Sequence, residues 1–182
     1  YSAGLNPFAT TNKIKASIAI SSVIKRLIQS EQQSNNIVSV DETFSQTIVT
    51  QAVENLVILL QEMYPRLNNG EMPNLSDLLN MINNFDLVED MVNKLEEDEL
   101  LASEYQVQIG YFKKNFFKDS ENRVAFAENL RTCSATLENL LRHPGVKQIL
   151  CNRNNNILYD NALQDGEVIF VCTRRGDLGS SV

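Results

Sequence analysis

The chain has 182 residues, 43% of them hydrophobic, with only seven glycines and four prolines; that is enough apolar material for one packed domain and too little turn-forming material for long flexible linkers. Its net charge of −7 is uneven: residues 1–104 carry six Lys/Arg against fifteen Asp/Glu, and residues 105–182 carry ten against eight. The acidic front half is excluded as a phosphate binder, because such contact runs on cationic neutralisation, while the back half leaves room for a local polyanion contact.

No apolar run approaches the ~20 residues of a membrane span. The opening YSAGLNPFATTNK has neither the basic and apolar regions of a signal peptide nor a methionine, which points to a piece of a longer chain. The three cysteines, Cys133, Cys151 and Cys172, form no ligand or CxxC pattern; an odd, scattered set predicts reduced thiols packed as small hydrophobes in a cytosolic compartment.

In chain order, residues 1–12 are an extended lead-in, with Asn6-Pro7 disfavouring helix. A first helix is predicted from Lys13 to about Gln33, its apolar positions Ile14, Ile18, Val23, Ile24, Leu27 and Ile28 recurring at helical spacing. The second, capped by Ser39 or Asp41, carries Phe44, Ile48, Ala52, Val53, Leu56, Leu59, Leu60 and Met63. NLVILL is apolar nearly all round, so this helix is central, and Pro65 is expected to stop it. A third begins near Asn74 or Ser76, and a fourth, capped by Asp86, carries Leu87, Val88, Met91, Val92 and Leu95. The acidic run Glu96–Glu99 opposes that helix's dipole and therefore marks a loop or a fresh start at Asp98.

A fifth helix, Leu100–Phe117, places Leu101, Tyr105, Ile109, Phe112 and Phe116 on one face. A sixth, capped by Asp119 or Ser120 and reaching Arg142, presents a narrow seam of Ala127, Leu130, Ser134, Leu137 and Leu141. Pro144 opens a short seventh ending near Cys151. After NRNNN, Ile157–Tyr159 and Val168–Thr173 read as strands, the latter continuously apolar as in a strand buried on both faces. The predicted fold is mainly α: about seven helices over residues 13–156, with a small β element over 157–182.

No phosphate-binding loop, His-x-x-His pair, nucleophile elbow or calcium loop is present in the sequence. The single histidine, His143, precedes a proline at a helix junction and suits a structural or cap-like role. The Glu96–Glu99 run is best taken as a solvated acidic corner, and Tyr105, Phe112 and Phe116 as core. No enzymatic constellation is visible, so the residues by themselves describe a helical interaction domain. Its cations Lys113, Lys114, Lys118, Arg142, Lys147 and Arg153 are candidate DNA or partner contacts.

The ordered signals GLNPF, VENLVILLQEMYP, MPNLSDLLNMI, NLRTCSATLENLLRHPGVKQIL and ILYDNALQDGEVIFVCTRRGDLG resemble the TraG/TraD class of type IV coupling proteins, and the closing stretch most resembles those of Gram-positive conjugative elements. The resemblance spans nearly the whole chain. It implies an all-α domain inserted in a RecA-like α/β ATPase domain, leaving the sheet after the phosphate loop and returning through residues 157–182. It implies a cytoplasmic place in a parent anchored in the cell membrane, with no membrane contact by this piece. ATP and magnesium would belong to the parent and no cofactor to this piece. The expected partners are the relaxase, relaxosome accessory proteins, possible DNA and the parent ATPase domain. Arg174, Arg175 and Asp177, where the last strand ends, become candidate contacts with that domain. Two roles follow: a receptor for cargo in DNA transfer, or a motor-packing domain serving subunit contacts.

Overall fold

The computed structural model describes residues 4–10, 12–34 and 41–155. Among them eight helices form one hydrophobic core: α1 (Lys13–Ser34), α2 (Asp41–Leu67), α3 (Leu75–Asn83), α4 (Phe85–Glu97), α5 (Glu99–Glu104), α6 (Gln106–Asn115), α7 (Ser120–Arg142) and α8 (Pro144–Leu150). The mainly α class is as expected, and no strand occurs among the described residues. The two predicted strands, and with them Arg174, Arg175, Asp177 and Cys172, lie outside the described residues.

α2 is the centre. Ala52, Val53, Leu56, Val57, Leu59, Leu60 and Met63 are all buried, and α2 packs on α1, α3, α4, α6 and α7. These positions span about half of the helix circumference, and the far side is more open: Gln51 is exposed and Glu54, Asn55 and Ile58 are half-buried. Pro65 does not end it. A proline four residues from Gln61 removes one hydrogen bond of the last turn, and the helix continues to Leu67. The stop is made by Asn69 and Gly70, both in the left-handed region (φ 53° and 84°), with the Gly70 amide donating back to the Pro65 carbonyl at 2.7 Å.

Short polar side chains set the later helix starts. The Asn74 side chain accepts from the Ser76 and Asp77 amides, and Asp77 returns a carboxylate to the Asn74 amide, a reciprocal cap for α3. Asn84, rather than Asp86, caps α4 and starts it two residues early at Phe85. Asp98 begins a fresh helix as expected, accepting from the Leu100 and Leu101 amides, and Asp119 caps α7 through the Asn122 amide.

Two inward faces differ from expectation. On α1, Ile14, Ile18 and Val23 are exposed, while Ala16, Ser17, Ile20, Ser21, Ile24 and Ile28 are buried. The small residues Ala16, Ser17 and Ser21 let α1 lie close along α2, and the two hydroxyls bond the Ile14 and Ile18 carbonyls. On α7, Ala127 is exposed and Phe126 is buried in its place. The Phe126 ring sits 4.4 Å from that of Phe116, within an aromatic group that also holds Phe85, Tyr111 and Phe112. The rest of the seam, Leu130, Ser134, Leu137 and Leu141, is buried.

The fifth predicted helix divides at Tyr105 into α5 and α6, giving eight helices instead of seven. Two backbone bonds still bridge the junction: the Tyr105 amide donates to Leu101 at 2.8 Å and the Ile109 amide to Tyr105 at 3.0 Å. The predicted buried face Leu101, Tyr105, Ile109, Phe112 and Phe116 is therefore preserved across the junction.

Candidate partner-binding surface and the closed neck

The first and last described segments form one neck. The Leu5 amide donates to the Ile149 carbonyl at 2.9 Å, and the Asn6 amide to Oδ1 of Asn155 at 2.5 Å. Asn6 is buried because its side chain is fully used: Nδ2 donates to the Pro73 carbonyl at 2.8 Å, and Oδ1 accepts from the Phe8 amide at 3.1 Å. Pro7 and Phe8 turn the chain inward, and the Phe8 ring is wholly buried in the helical core. A side chain at Gly4 would collide with the Asn154 carbonyl and the Asn152 side chain. Glycine there lets the two segments touch backbone to backbone.

Arg153 locks the outgoing segment. Its guanidinium donates to the Met72 carbonyl at 2.7 Å, to Asp77 at 2.9 Å and to the Tyr64 hydroxyl at 2.6 Å. It also lies over the Tyr64 ring at 4.9 Å. Burial alone would lower its pKa; the bonds and charge of Asp77 outweigh that and raise it. Next to it, Asn74 donates to the Cys151 carbonyl at 3.2 Å, and the Cys151 Sγ lies 3.1 Å from the Ser76 hydroxyl.

A second polar knot binds α1, α2 and the α5–α6 junction. The Glu62 carboxylate is buried and ion-paired with Lys13. It accepts from the Tyr105 hydroxyl at 2.9 Å and from Arg66 Nε at 2.7 Å, while Lys13 donates to Tyr105 at 2.8 Å. Burial alone would raise the Glu62 pKa; the bonds from Lys13, Tyr105 and Arg66 and the Lys13 charge bring it below the usual carboxylate range. For Lys13 burial pulls downward, and its bonds to Glu62 and Tyr105 raise the pKa overall. Burial chiefly raises that of Tyr105. Every charge in the knot has a protein partner, so it fixes structure and offers no free acid or base.

The six candidate cations do not form one patch. Lys113, Lys114 and Lys118 precede the start of α7 in the chain; Arg142 is its last residue and Lys147 and Arg153 follow it, the two ends of this 23-residue helix being about 33 Å apart. Lys113 is paired with Glu96 at 2.5 Å, and Arg153 is engaged as described. Lys114, Lys118, Arg142 and Lys147 are exposed. His143 occupies the cap position of α8, where its ring makes no capping bond. Cys133 is buried, its thiol pKa pushed up to about 12 by burial, and forms part of the core. Among the described residues no group of His, Cys, Asp or Glu has the arrangement of a metal site, and no helix is long and apolar enough to cross a membrane.

Sequence reasoning could not find the two knots, because Lys13 and Glu62 are 49 residues apart, and Tyr64 and Arg153 are 89. No family model matches the chain, and no curated protein or solved structure is similar to it.

Proposed function

We propose that this chain is the all-α domain inserted in the ATPase of a conjugative coupling protein, where it receives relaxase and accessory proteins, with their DNA, for delivery to a type IV secretion channel. The observation that carries this reading is the closed neck. A domain inserted in another must leave its host and return at nearly one place, and Leu5 bonded to Ile149 with Asn6 bonded to Asn155 supplies that closure. In this reading ATP and magnesium act in the host, and the helical domain contributes surface. Titration of the chain with a relaxase–DNA complex from a conjugative element of this class tests it. Saturable binding is expected, and absence of binding to both protein and DNA overturns the receptor role.

One observation favours the motor-packing alternative. α7 spends its apolar seam inside the domain, against α1, α2, α3, α6 and α8, as a helix serving internal packing would. Substitutions of exposed residues in the full-length protein separate the roles. Loss of ATP turnover with cargo binding intact supports motor packing; loss of cargo binding with turnover intact supports the receptor.

A further inference from the structure

α5 and α6 each hold one large apolar side chain out in solvent. Leu100 is 83% exposed and Val107 70% exposed. Leu101, Tyr105 and Ile109 are buried across the α5–α6 junction, and Leu100 and Val107, one on each side of Tyr105, lie away from that buried stripe. Ser103 and Gly110 lie beside them, both exposed, and a side chain at Gly110 would meet open space.

Residues 97–112 contain Glu97, Asp98, Glu99 and Glu104 and no lysine or arginine. The charges of the stretch itself are acidic only, with Lys94 before it and Lys113 and Lys114 after it. All four carboxylates are exposed, and none has an ion-pair partner among the described residues. On α4, Glu96 pairs with Lys113, and Asp86 and Glu89 pair with Arg123. We propose that the Leu100–Val107 face is a docking surface for a basic amphipathic segment of a partner protein. The partner would seat apolar side chains on Leu100 and Val107 and bring lysine or arginine to Glu97, Glu99 and Glu104. An acidic or uncharged partner would meet uncompensated carboxylates. The proposal deepens the receptor reading and rests on it for the claim that a partner docks at all.

The probe is a labelled peptide of roughly four helical turns with leucine along one face and lysine on the other, beside an analogue with glutamate for every lysine. Titrated against the intact chain at physiological salt, the lysine peptide is expected to bind at least about tenfold tighter than the glutamate analogue. The double substitution Leu100→Ser with Val107→Ser is expected to weaken it about tenfold, and Glu97→Lys with Glu104→Lys to reverse the preference. All four side chains are exposed, and circular dichroism checks that the helices persist. Equal binding of both peptides, or unchanged binding to the serine variant, overturns the proposal. A relaxase complex that binds wild type and serine variant alike overturns this surface while leaving the receptor reading intact. Peptide binding as expected without relaxase binding overturns the receptor reading and leaves the surface.

Discussion

Asn6 and Asn155, 149 residues apart, hydrogen-bond each other: the Asn6 amide donates to the Asn155 side chain at 2.5 Å, and that side chain returns a bond to the Asn6 carbonyl at 3.4 Å. Gly4 makes this approach possible. Gly4→Ala places a methyl group against the Asn154 carbonyl, and backbone there has little freedom to yield. The expected outcome is loss of hydrogen-exchange protection at the Leu5 and Asn6 amides, with a stability cost of about 1–3 kcal/mol. Unchanged protection at both amides would contradict the close-approach argument.

Arg153→Lys should be non-conservative. An ammonium group cannot serve the Met72 carbonyl, Asp77 and the Tyr64 hydroxyl together while lying flat on the Tyr64 ring. The guanidinium side chain is a third exposed, so the loss is limited to about 1–2 kcal/mol. Denaturant unfolding of the Lys and Ala variants measures it, with Lys recovering less than half of the Ala deficit.

Glu62 gives the fold an acid limit. Its folded pKa lies below the usual carboxylate value, so its contribution is present above that usual value, near 4.3, and is lost as pH falls through the lowered one. Lys13 has the opposite sign: its contribution is present below the ordinary lysine value and is lost only as pH rises through the raised folded value. Glu62→Gln should cost about 1–3 kcal/mol at neutral pH, since Lys13 and Arg66 are partly solvated and lose less than fully buried cations. The variant's stability should also vary less between pH 5 and 3. Denaturant midpoints across that range decide it.

On α7, Phe126→Ala should cost about 3–5 kcal/mol, because it removes a buried ring packed, tilted, 4.4 Å from that of Phe116. Ala127→Ser, one residue along and exposed, should stay within about 0.5 kcal/mol. Thermal unfolding of the pair tests which of the two faces the core.

If the chain touches DNA, one end of α7 does so at a time. A short duplex then meets no more than about three lysines or arginines, and the logarithm of affinity should fall against that of salt with a slope no steeper than about −3. A slope near −5 would mean that both clusters engage together.

Much of this architecture was readable because local chemistry agrees with the fold. Asp98 and Asp119 begin helices where a short carboxylate precedes an apolar period, and the 101–116 face survives even where Tyr105 divides the helix. α1 misled because close packing selects Ala and Ser for its inner face, and its large apolar residues Ile14, Ile18 and Val23 are then left outside. At Phe126 the error was one residue, since a narrow seam is equally regular on either of two adjacent registers. Arg153 was recognisable as a cation but not as a clamp: its partners Asp77 and Tyr64 precede it by 76 and 89 residues, a distance over which periodicity carries no information. Leu100 and Val107 carry no sequence signal of their own, because helical periodicity marks the inward stripe and says nothing of what the opposite side displays.

The side-by-side neck also sets how the domain bears mechanical load. The Leu5–Ile149 and Asn6–Asn155 bonds follow the same chain order, so tension applied between residues 4 and 155 loads the two together rather than one after the other. The helical body lies behind that clasp and is shielded until it yields. A lever fixed at this hinge would swing as a unit while its own packing stays unloaded.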